Sequence, residues 1–220
     1  MLRLISQTTL AAALAGLMAC SSSPGSGADA DSTSEESGAE SSETGEETGD
    51  GDGDGDALEV FDQESLRLYE VEVADADWDW LQANAGQEEY VPATVSVDGH
   101  NFANIGIRYK GSATLDSCLD DQGAMICDKA SMKLKFNEYD PEGRFFGLKR
   151  LNFHAMSTDG SFLRERVSYK LFSDFGVPTS RAVHAQMSIN GGPPLLFALV
   201  EQIDGRFTRD RYPEDGEGNL

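Results

Sequence analysis

The sequence predicts an α+β domain, a mostly antiparallel sheet with one long helix packed against it. Three observations predict this class. Short runs such as Leu66–Val73 and Met132–Phe136 alternate apolar and polar residues, the period-two signature of half-buried strands. Asp98-Gly99 and Asn190-Gly191-Gly192 each separate two such runs, and these dipeptides favour hairpin turns because Gly and Asn tolerate positive φ. Leu163, Val167, Leu171 and Phe175 recur at four-residue spacing, which predicts a helix from about Ser161 to Phe175 with a buried stripe.

Two segments precede that domain. Arg3 followed by the small apolar run Leu10–Met18 reads as an export signal, too short to span a bilayer as a permanent helix. Leu17-Met18-Ala19-Cys20 fits a lipobox, so residues 1–19 are expected to be removed and Cys20 to carry the lipid. An ordinary secretory signal with a chance cysteine is the rival reading. Gly16, Ala19 and the abrupt switch to Ser21-Ser22-Ser23-Pro24 favour the lipoprotein. A membrane is then the first expected partner, and Ser21 after the cysteine points to an outer-membrane or cell-surface address in a double-membraned cell.

Residues 20–57 form an acidic tether. After the cysteine they contain Ser, Gly, Glu, Asp, Ala and Thr almost exclusively, with 12 acidic residues and no Lys, Arg or aromatic residue. Such a segment buries too little apolar surface to offset its ordering entropy, and its charges repel one another into an extended chain. Asp50, Asp52, Asp54 and Gly55 begin like a calcium-binding loop. The pattern then fails, because Phe61 stands where a bidentate Glu is needed.

Residues 58–220 are expected to form one domain of ordinary size. The net charge of −22 overstates its acidity. Removing the 12 tether acids and Arg3 from 39 acidic and 17 basic residues leaves 27 against 16, a balance of −11. That balance argues against nucleic acid as a partner.

The domain's elements follow in order. Leu66–Val73 is the first strand, and Asp75 or Asp77 caps a short helix with Trp78, Trp80 and Leu81. Tyr90–Val97 and Phe102–Tyr109 make a hairpin about Asp98-Gly99. With Cys20 lipidated, Cys118 and Cys127 are the only pair left, and a disulfide is expected in an exported protein. A metal site is the rival, but two thiols without nearby His or Cys ligands suit zinc poorly. Met132, Leu134 and Phe136 face one way in the next strand, with Lys133 and Lys135 on the other. Asp140-Pro141-Glu142-Gly143 is a turn and Leu148–His154 a strand. Asp159 is placed to cap the long helix, Gly176 stops it and Pro178 prevents its resumption. Ala182–Ile189 and Leu195–Ile203 form the last hairpin.

No hydrolase is signalled. His100, His154 and His184 are scattered, with no HExxH spacing and no Ser-His-Asp or Cys-His arrangement. Four linked segments carry a more specific signal: Gly106-Ile107-Arg108-Tyr109-Lys110-Gly111-Ser112, Ser131-Met132-Lys133-Leu134-Lys135-Phe136, Asp159–Phe172 with Phe162-Leu163-Arg164-Glu165, and Leu199-Val200-Glu201-Gln202-Ile203-Asp204. Their order and spacing resemble the spore-coat protein H (CotH) family of atypical, kinase-like proteins.

The resemblance implies the N-terminal lobe of a kinase, ATP and Mg2+ as cofactors, and a protein hydroxyl as acceptor. It implies that Lys110, Gly111 and Ser112 form a turn whose backbone approaches phosphates. Lys133 or Lys135 would clamp phosphate, with Lys133 favoured, and Glu165 would fix that lysine from the helix. Glu201 or Asp204 would meet the ribose, while Asp159 and Arg164 would serve structure. His154 stands where the family more often carries Asn. The family's metal-binding carboxylates lie in a second lobe beyond the segment matched here. This chain alone is therefore expected to be inactive and to represent the front portion of a longer domain.

The residues also admit plainer readings. Lys133 and Lys135 would decorate a solvated sheet face, Glu165 would pair with arginines of its own helix, and Glu201 would be a strand-end acid facing water. From a different class, the chain could be a non-catalytic surface module for binding or assembly.

Overall fold

The computed structural model describes residues 55–215, with side chains from residue 57. Seven strands close into one barrel: β1 (Arg67–Val73), β2 (Val91–Val97), β3 (His100–Tyr109), β4 (Met132–Lys135), β5 (Arg150–His154), β6 (Ala182–Ile189) and β7 (Leu195–Val200). Around the barrel their order is β1-β2-β3-β4-β5-β7-β6. This corrects the expected α+β sheet with one long packed helix, and the kinase-lobe architecture with it. The helices are short: α1 (Gly55–Val60), α2 (Asp75–Ala83), α3 (Ala113–Asp116), α4 (Arg164–Asp174) and α5 (Gly205–Arg211).

All neighbouring pairs but β1–β6 are antiparallel. At the β2–β3 turn Asp98 and Gly99 both have positive φ, 49° and 79°, as a two-residue hairpin of right-twisted strands requires. The β6–β7 turn repeats the device at Asn190 and Gly191. Closure comes from β1 and β6, which pair in parallel with Arg67 opposite Ala185 and Val71 opposite Ile189. Asn190 locks that seam: its N–H donates to the Val71 carbonyl at 2.9 Å, and its Oδ1 accepts from Val73 N–H at 2.8 Å.

Alternation fills the interior. Tyr69, Val71, Val95, Ile107, Leu134, Leu151, Phe153 and Leu199 are fully buried from successive strands. Aromatic rings pack among them, with Tyr69 edge-on to Phe153 at 5.0 Å and Phe145 stacked on Phe136 at 5.0 Å. Cys118 and Cys127 are joined by a disulfide between α3 and β4.

The α4 helix corrects a second expectation. It is shorter than the predicted 161–175 segment, because Phe162 adopts a positive φ of 56° that helical backbone excludes. The expected buried stripe is exposed: Leu163, Val167, Leu171 and Phe175 show 48, 55, 52 and 76% of their surfaces. Glu165, Arg166 and Tyr169 face the barrel instead. At 100° per residue, position 167 lies about 200° from 165, so one face excludes the other. Arg166 fixes the choice, donating to the side-chain and backbone oxygens of Gln63 at 2.9 and 2.6 Å and meeting His184 Nδ1 at 3.3 Å. Tyr169 packs against Met156, Ala182, Ala198 and Val200 on the outside of the barrel.

Candidate functional site

The outward residues of β3, β4 and β5 share one face. Arg108 stands opposite Lys133, and Lys133 opposite Asn152, so the strands present a polar row on the outside of the barrel. Lys110 follows β3, and its backbone N–H donates to the Ser131 carbonyl at 3.0 Å, carrying the row past the strand end. Gly111 turns the chain there with φ at +123°, a conformation open to glycine and strained for other residues. Ser112 leads into α3, its carbonyl accepting from Leu115 and Asp116.

At that end of the barrel the structure assembles a three-residue chain. Lys110 Nζ lies 3.2 Å from His154 Nε2, and His154 Nδ1 lies 2.7 Å from Glu165 Oε2. An ammonium has donors and no acceptor, so Nε2 accepts and Nδ1 carries the proton given to Glu165. The three groups come from the end of β3, the end of β5 and the first turn of α4, so barrel closure and helix rotation together define their spacing.

The start of α4 is itself held by Asp159. Its side chain accepts from Ser161 N–H at 3.0 Å, Ser161 Oγ at 2.6 Å and Arg164 N–H at 2.8 Å. The Ser161 hydroxyl, followed by these backbone donors and the Arg164 charge, holds its carboxyl down to about 2. Arg164 Nε lies 3.6 Å from Asp159 Oδ1, with most of its side chain exposed. Lys129 braces the same end by donating to the Ala155 carbonyl at 2.7 Å and to that of Leu196, beneath the Phe197 ring. Burial lowers the pKa of its ammonium.

The expected lysine partner of Glu165 is thus replaced by His154 and, through it, Lys110. Lys135 pairs with Glu138 at 2.9 Å and lies over the Tyr90 ring, while Lys133 is half-buried in the strand row. Glu201 sits at the other end of β5 and β7, with 3% of its side chain exposed. It accepts from Arg181 N–H at 2.9 Å and from the guanidinium groups of Arg181 and Arg211. Its two oxygens are committed to those arginines, away from Lys110. The sequence signal for His154 was its place in the last strand position before α4; its two partners come from distant segments and leave no local pattern.

Among the described residues no group of three His, Cys, Asp or Glu side chains is placed to hold a metal ion. The described residues thus offer no such cluster for Mg2+, and no step is assigned to it. Cys20 and the tether to residue 54 lie outside the described residues.

A family model described as CotH kinase protein matches residues 107–220, from within β3 through α5. Inner spore coat protein H of Bacillus subtilis (strain 168) is 27% identical over 154 residues, which cover 70% of this chain and 39% of that protein. The chain spans well under half of that relative's length. With half of its residues covered by the family model and all three members of the Lys110–His154–Glu165 chain inside the match, the chain belongs to the CotH kinase protein family.

Proposed function

We propose that this chain is the phosphate-clamping part of an ATP-dependent protein kinase, with Lys110 as the clamp. The observation that carries the reading is the hydrogen-bonded chain from Lys110 through His154 to Glu165. Phosphoryl transfer is mostly positioning and charge neutralisation, and a compact ammonium held in place serves both. Glu165 orients the imidazole, and the imidazole orients the ammonium. Gly111 and Ser112 give phosphate oxygens a turn of backbone without side-chain bulk beside that cation. Lys133 continues the polar row across the strands, where Arg108 is paired with Glu88. With no carboxylate cluster for a divalent cation among the described residues, those residues would bind nucleotide and not themselves transfer phosphate.

The proposed place of action is the cell surface, lipid-anchored through Cys20. The supports are the lipobox-like run before Cys20 and a relative named as a spore coat protein.

The test is ATP binding to the 220-residue chain by calorimetry. Wild type should bind, and Lys110→Met should weaken binding about tenfold or more, as loss of a charge-assisted contact does. Absence of binding by wild type, or equal binding by Lys110→Met, would refute the reading.

A second reading, a non-catalytic binding or assembly module, is favoured by the exposed row on α4. Separately, a hollow of about 310 Å³ is bounded by Tyr169, Ser173, Val177 and Arg181. This reading predicts indifference to ATP and to Lys110.

A further inference from the structure

At the end of β5 remote from Lys110, a small recess is lined by Gly147, Lys149, Arg150, Arg206 and Arg209, together with the carboxylates Glu201 and Asp204, the latter accepting from the Arg206 and Phe207 backbone N–H groups. Four cations meet there in a domain that is otherwise acidic. Arg206 is the anomaly among them. It is 8% exposed, yet its Nε, Nη1 and Nη2 have no hydrogen-bond partner among the described residues. Asp210 Oδ2 lies 3.8 Å from Nε, which offsets charge but makes no hydrogen bond. Glu201, a buried acid in the same lining, already gives its oxygens to Arg181 and Arg211.

A buried guanidinium without hydrogen bonds is costly, and native proteins leave such donors unmet where an ion or ligand completes them. The local backbone is shaped for this placement. Gly147 has φ at +78°, and a Cβ at that position would come within 2.5 Å of Arg206 Nη1. Glycine therefore lets the guanidinium reach a position that a side chain would deny it.

We propose that this recess binds one phosphate-class oxyanion, with Arg206 as its principal donor and Lys149, Arg150 and Arg209 supplying charge. A planar guanidinium fork matches two oxygens of a tetrahedral oxyanion. The volume sets the size of the guest: about 20 Å³ takes the tip of an anion, not a nucleotide base. The site is separate from the Lys110 clamp, since the strand β5 carries Arg150 at its start and His154 at its end. It does not rest on the kinase reading.

The experiment is a titration of the full chain with inorganic phosphate, followed by 31P line broadening at constant ionic strength set with chloride. Wild type should bind with a dissociation constant of about 1 mM or tighter. Arg206→Met should weaken binding about tenfold or more, and Arg206→Lys should fall between, because charge is kept and the fork is lost. O-phosphoserine competing for the site would assign a phosphomonoester, and failure to compete would restrict the guest to the free ion. No saturable binding by wild type up to about 20 mM, or unchanged binding in folded Arg206→Met, would overturn the proposal. Should Arg206→Met not fold, the Lys149→Gln, Arg209→Gln double variant carries the test, and unchanged phosphate affinity there would overturn it equally.

Discussion

Replacing Glu201 with Gln tests whether the strand-end carboxylate is structural. The substitution keeps shape and removes charge from a side chain that is 3% exposed between Arg181 and Arg211, themselves 21 and 17% exposed. Breaking a buried ion pair from one side costs about 3–5 kcal/mol, because the remaining charge is left uncompensated. Here the arginines retain some access to water, which places the expected loss near the lower end, about 3 kcal/mol. Arg181 N–H still finds the amide oxygen, so the backbone bond at this site survives. Against a typical domain stability of about 5–15 kcal/mol the loss is large, and it corresponds to a fall of about 6–12 °C in Tm for a domain of this size. Urea denaturation of wild type and Glu201→Gln measures it directly, with the midpoint moving and the slope unchanged. Combining Glu201→Gln with Arg211→Met should cost less than the sum of the two, since each removes the partner of the other. A loss below about 1 kcal/mol would refute the reasoning, for it would mean that the arginines exchange this carboxylate for water freely. An intact fold with ATP binding abolished would instead return Glu201 to the nucleotide.

Two further outcomes are expected. Asp159 has its folded-state carboxyl held down to about 2, so its contribution is present in full above the ordinary carboxylate value and is lost as pH falls through about 2. Asp159→Asn should therefore flatten the decline of Tm between pH 4 and pH 2, and parallel acid limbs would count against the Ser161 and Arg164 bonds described. Leu171→Ser should change stability by less than about 0.5 kcal/mol, as an exposed position allows, whereas Leu151→Ala in the barrel interior should cost about 2–5 kcal/mol. Equal losses would mean that the apolar row of α4 is covered in solution.

Local features of the fold were legible because their causes are local. Asp98-Gly99 and Asn190-Gly191 read as turns since a two-residue hairpin demands positive φ at those positions. The face of β4 followed from Met132, Leu134 and Phe136, and the Cys118–Cys127 pair from their seclusion from any other thiol but Cys20. Closure was not legible. The β1–β6 seam joins segments with no adjacent turn, and parallel pairing leaves no period of its own in either strand. The α4 stripe misled for a related reason: period fixes which residues share a face, not which face meets the sheet. Arg166 and Tyr169 decided that. In the candidate site, Glu165 was identifiable from the family motif, while its partner depended on β5 ending at His154 beside Lys110.

The parallel seam also fixes when the protein can fold. β1 finds its second neighbour only after β6 has been made, roughly half the chain later, since Arg67 pairs with Ala185. Until then the ribbon from β1 to β5 has two open edges, each a template for another strand. Such high contact order slows folding and lengthens the exposure of those edges. The β6–β7 hairpin is the piece that ends the exposure, and it fits the gap of any nascent copy as well as its own. Crowded chains of this protein should therefore exchange that hairpin, giving intertwined dimers whose barrels each borrow two strands.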